Sequence, residues 1–63
     1  MMTIEKLKKE CICVDSNVEQ IGLTKVHHIY YKHKKTGQGY MLQHFGNEKN
    51  GEIKKVRLYN HEY

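Results

Sequence analysis

Proline is absent from the 63 residues, so no strand is interrupted by a missing backbone donor or consigned to a sheet edge on that account. Cysteine is scarce: Cys11 and Cys13 are the only two, and an i, i+2 bridge strains disulfide geometry. A disulfide framework is therefore not what holds this chain together. No apolar run approaches the roughly 18 residues that span a bilayer. The first nine residues, Met1 to Lys9, contain no apolar core of the kind a secretion signal requires. These absences predict a cytoplasmic protein with reduced thiols and no membrane contact. Aspartate occurs once, at Asp15, and no nucleophile motif accompanies it. A catalytic histidine needs an orienting carboxylate and a nucleophile in a cleft, and a chain this small builds no ordinary pocket. The expectation is a binding protein rather than an enzyme, with no cofactor.

Arginine is also nearly missing. Of the eleven basic residues only Arg57 is not lysine. Guanine recognition favours the planar arginine fork, so sequence-specific base reading is disfavoured. The charge that is present is unevenly placed. Residues 1–22 carry three lysines against four acids, net −1, and residues 23–63 carry the remaining +5 of the overall +4. A basic C-terminal two-thirds suits an anionic partner.

Size sets the next limit. One domain of this length buries only about 60% of the surface its unfolded chain exposes, so the core is thin. Thr3 can cap a short helix over about residues 3–10, in which Ile4, Leu7 and Cys11 fall on one face. Cys11-Ile12-Cys13-Val14 reads as a short buried strand. Residues 16–22 support two readings. Ser16 with Glu19 fits a capping box that starts a one-turn helix ending at Gly22. Alternatively Asp15–Asn17 is a hairpin turn and Val18–Ile21 pairs back.

The rest reads as strands. Lys25–His33 and Tyr40–Phe45 are separated by the cationic, glycine-bearing loop Lys34–Gly39, and Glu52–Tyr59 follows Asn50-Gly51, a dipeptide suited to a type I′ turn. The predicted fold is α+β or mainly β: a short N-terminal helix, a short strand, then a three-stranded antiparallel meander, with a partly open small barrel as the nearest variant.

Alternation along the last strand sets Val56 and Leu58 on a core face. It sets Lys55, Arg57, Tyr59, His61 and Tyr63 on the other. Interleaved cations and aromatic rings neutralise phosphates and stack on bases, and the tip lysines Lys34 and Lys35 extend that track. The same pattern also describes an ordinary solvated sheet face. A second candidate surface is the lightly charged segment containing Val26, Ile29 and Tyr31, which would recruit another chain if it lay at a sheet edge. Cys11 and Cys13, even with His27, His28 or His44, lack the spacing of zinc sites and read as buried small hydrophobes. Two functions follow from these surfaces. One is a basic protein that contacts nucleic-acid backbone. The other is an accessory protein of the kind found in phages and mobile elements, which binds a recombinase, nuclease or host enzyme and modulates it.

Overall fold

The computed structural model describes residues 2–46 and 51–58. A helix α1 (Ile4–Glu10) leads into four strands, β1 (Cys11–Ile21), β2 (Thr24–His33), β3 (Gly39–His44) and β4 (Glu52–Val56). The strands form one open antiparallel sheet in chain order. The architecture is thus mostly β with one short helix. The meander is present and gains a fourth strand at its front.

The helix starts where its cap dictates. Thr3 is extended, and its Oγ1 accepts the Lys6 N–H at 3.1 Å. Its carbonyl accepts the Leu7 N–H at 2.8 Å. Glu5 in the first turn and Lys8 and Lys9 in the last complement the helix dipole. Seven residues do not hold a helix in water, so packing must do it. Leu7 is fully buried and clusters with Cys11, Tyr31 and Leu42, while Met2, Ile4, Ile29, Tyr40 and Ile53 close around them. The helix therefore folds back over one face of the sheet and covers the inner strands.

Residues 16–22 follow neither expected path. β1 continues through them to Ile21, with a register shift between Cys13 and Asp15 that marks a bulge at Val14. The turn lies later, at Gly22-Leu23, since Ile21 pairs with Thr24. Gly22 has φ 61° and Leu23 does not adopt positive φ, which is the backbone of a type II′ hairpin with glycine at its first central position. Polar Asp15, Ser16 and Asn17 are tolerated in a strand because both faces of β1 there are exposed.

The long β1 changes the status of β2. Val26, Ile29 and Tyr31 would recruit another chain only from a sheet edge, and they are not at one. They belong to a strand paired on both sides, by β1 and by β3, and Val26 and Tyr31 are buried. The sheet edges are β1 and β4 instead.

The last strand also corrects the face assignment. Ile53 pairs with Leu42 and Lys55 with Tyr40, so both lie on the helix-covered face. Val56 is opposite Gly39 on the other face, and β4 ends there. Ile53, not Val56, packs against the core cluster. Asn50 falls outside the described residues. Gln43 pairs with Glu52, which leaves eight residues between them.

Cys13, expected in the core, is exposed, whereas Cys11 is buried. Both lie on the helix side, but β1 is the outermost strand and the helix covers only its first residues. Burial raises the Cys11 thiol above its ordinary value, with Glu10 adding to the effect and Lys34 opposing it.

Candidate anion-binding end of the sheet

One end of the sheet gathers the start of β1, the loop between β2 and β3, and the end of β4. The loop is built around His33. Its backbone N–H donates to the Gln38 carbonyl at 2.8 Å, and its carbonyl accepts from Gly37 N–H at 3.0 Å. Its Nδ1 accepts two backbone N–H groups, from Lys35 at 3.1 Å and Thr36 at 3.3 Å. A nitrogen that accepts twice carries no proton. The ring therefore bears its hydrogen on Nε2, which donates to Glu10 Oε1 at 3.2 Å. One imidazole thus ties the loop to the helix. Lys34 adds two further ties, its N–H to the Glu10 carbonyl at 3.0 Å and its Nζ to the Lys9 carbonyl at 3.3 Å.

The consequence is a continuous cationic surface. A depression of about 330 Å³ is lined by Lys6, Glu10, His33, Tyr40 and Lys55 among others. Glu10 and His33 also line a neighbouring one with Lys9, Lys34 and Lys35. Lys55 shares a third with Arg57 and loop residues 36–39. All six cations are exposed. Among the described residues of this group Glu10 is the one carboxylate, and it already faces His33. Repulsion among the cations disfavours such crowding, and a bound polyanion relieves it.

Of the residues expected from the sequence, Lys34 and Lys35 line one depression and Lys55 and Arg57 another, with a third that both His33 and Lys55 line between them. They adjoin for a different reason from strand alternation. Arg57 follows the end of β4, and the segment 55–58 is drawn to loop 36–39 by the Gly39–Val56 pairing and by Gln38 Nε2, which donates to the Val56 carbonyl at 3.4 Å. Tyr59 and His61 lie outside the described residues. Two contributors were missed, Lys6 and Lys9, because a helix that packs at this end could not be placed from its own periodicity. Tyr40 was missed as the aromatic member. It stands opposite Lys55 and is half-buried.

Compared with family models, curated proteins and solved structures, the chain matches none.

The remaining histidines sit elsewhere. His27 and His44 pair across β2 and β3 and stack with ring centroids 4.7 Å apart and planes within 3°. His44 is buried, and its Nδ1 has no hydrogen-bond partner among the described residues. The thiols lie far along the strands from this stack, opposite His33 and Tyr31. Among the described residues no group of three or more His, Cys, Asp or Glu side chains could hold a metal ion. No described helix is long and apolar enough to cross a membrane.

Proposed function

We propose that this chain is a non-catalytic binding protein that grips nucleic-acid backbone with the basic end of its sheet. The observation that carries the reading is that three adjoining depressions are lined by six cations from three separate elements, α1, the β2–β3 loop and the end of β4, with Glu10 the one carboxylate among the described lining residues. Cations arriving from distant parts of the chain hold fixed spacings, which a mobile lysine tail does not. Lys55, opposite Tyr40 on the neighbouring strand, supplies a phosphate contact next to an aromatic residue. With one arginine available the contacts are to backbone, and sequence preference is slight.

Four phosphate contacts would give a salt slope of about −3.6 on duplex DNA, at roughly −0.9 per contact. Fluorescence anisotropy with labelled single- and double-stranded oligonucleotides at two salt concentrations tests this. Lys55→Glu with Arg57→Glu should abolish binding and leave the circular dichroism unchanged. Lys6→Glu, a residue the sequence did not suggest, should weaken it as well. Absence of binding at low salt with tens of micromolar protein would end the reading.

A second reading, an accessory protein that binds another protein, draws on the opposite end. There the β1–β2 ribbon projects beyond β3, and Val18 and Ile21 are each 56% exposed and Leu23 fully so. These exposed aliphatic side chains are apolar surface that a protein partner would remove from water.

A further inference from the structure

We infer that the sheet is extended by a second copy of this chain, with β4 of one copy pairing along β1 of the next. The argument begins with the edges. Among the described residues no strand pairs with the outer side of β1 or of β4. β1 is eleven residues long, and beyond its bulge Ser16–Ile21 runs regularly and exposed on both faces. Native sheets normally blunt such an edge with charged residues, proline, a bulge or brevity. Past the bulge at Val14 this one has no lysine or proline, and Glu19 is its single charge.

Charge selects the occupant. β1 contains Asp15 and Glu19 and no cation. β4 contains Lys54 and Lys55 against Glu52. The register through the sheet puts Asp15, Glu19 and Lys54 on one face, and Val18 and Ile53 on the other. Two β1 edges joined antiparallel would bring four carboxylates to one face. Two β4 edges would place the two copies of Lys54 on one face, each with Glu52 beside it, and the two copies of Lys55 on the other. Like charges across strands are unfavourable, so the symmetric β1 joint is opposed, and a symmetric β4 joint, in which Glu52 meets Lys54, would leave the longer β1 edge bare. The unlike joint is favourable. Its strand sense is also correct: three successive antiparallel pairings leave β4 running opposite to β1, so a copy placed alongside in the same orientation presents β4 antiparallel to β1. The register that sets Lys54 of the next copy opposite Glu19 sets its Ile53 diagonally across from Val18. The joint is head-to-tail and does not close on itself. It is independent of nucleic acid.

The test is sedimentation velocity on the purified chain in low salt without nucleic acid, over a concentration series reaching hundreds of micromolar. The wild type should sediment faster as concentration rises. Glu19→Lys and Lys54→Glu alter exposed side chains, with 63% and 57% of their surface accessible, so both should keep the wild-type circular dichroism. Each alone should associate about tenfold more weakly, because a favourable cross-strand charge pair becomes an unfavourable one. An equimolar mixture of the two restores both kinds of joint and should recover the wild-type behaviour. A wild type that stays monomeric throughout would leave the β1 edge to a strand of some other protein and overturn the inference. Stronger association of Glu19→Lys alone would point to a symmetric β1 joint and overturn it too, as would a mixture that fails to recover.

Discussion

Replacing Gly39 by alanine should unfold the basic end of the sheet more than any surface change of one methyl group would suggest. Gly39 opens β3, is buried, and pairs with Val56 at the last rung of β4. A Cβ at this position would lie 2.6 Å from Leu58 Cγ and 2.6 Å from the Val56 carbonyl oxygen. The leucine can rotate away. The carbonyl cannot, because it is held in the chain beside the Gly39 rung and approached by Gln38 Nε2. Relief therefore requires β4 to move off β3 at this end. Forcing atoms into a packed site costs typically 1–3 kcal/mol, and a backbone contact belongs at about 2 or above. For a domain of this size that is a melting point lower by roughly 8–16 °C. Thermal unfolding followed by circular dichroism measures it. Gly22→Ala is the control, since nothing lies within 4 Å of its Cβ and its cost is that of a left-handed φ alone, about 1–2 kcal/mol. Gly39→Ala should also weaken anion binding, because Lys55 and Arg57 reach the loop through this rung. A Gly39→Ala melting point within a degree or two of wild type would refute the packing argument and with it the account of how Lys55 is positioned.

Other perturbations reach different parts of the fold. His33→Ala removes the acceptor for two loop N–H groups and the donor to Glu10, and should cost about 1–3 kcal/mol while loosening the loop, seen as faster amide exchange at Lys35 and Thr36. Leu42→Ala empties a fully buried position in a thin core and should cost about 2–5 kcal/mol in urea unfolding, enough to leave little folded protein at 37 °C. Cys13 should react with iodoacetamide well before Cys11, which is buried and has a raised thiol pKa; equal rates would mean the helix does not cover β1. A thiol whose folded pKa lies above its unfolded value stabilises the fold fully at lower pH, and that increment is lost as pH rises through the folded value. Stability of the wild type should therefore fall in alkaline solution by an increment that Cys11→Ala lacks. Melting in the presence of chelator and reductant should match melting without them, because the thiols and the stacked imidazoles lie apart.

The strands from residue 24 onward were legible because β-branched and aromatic residues between glycine-bearing breaks leave few other conformations. The helix was legible because Thr3 can cap it and Ile4, Leu7 and Cys11 share a face. The path of residues 15–21 was not. Asp15, Ser16 and Asn17 favour turns in isolation, and only their pairing with β2 makes them strand. A signal did exist in Gly22-Leu23, a glycine-first pair between Ile21 and Thr24, but it competed with the stronger local turn residues before it. Missing it also left the position of the edge open, because a strand's neighbours are a property of the sheet.

The candidate site divides along the same line. The lysines, their excess over acids and their concentration after residue 22 are properties of composition, and the amino-acid sequence by itself determined that this chain presents positive charge and has one arginine with which to read bases. Which cations stand together was decided by tertiary structure. Lys6 and Lys9 are separated from Lys55 by more than forty positions, and a helix of seven residues has no fixed direction until Leu7 finds Tyr31 and Leu42. Lys55 and Arg57 were expected to share a strand face through alternation, yet β4 stops at Val56, and what unites them with the loop is the close approach at Gly39. Alternation is local and can be read from spacing. The docking of a helix and the last rung of a sheet depend on contacts between residues far apart in the chain, and no spacing within one segment encodes them.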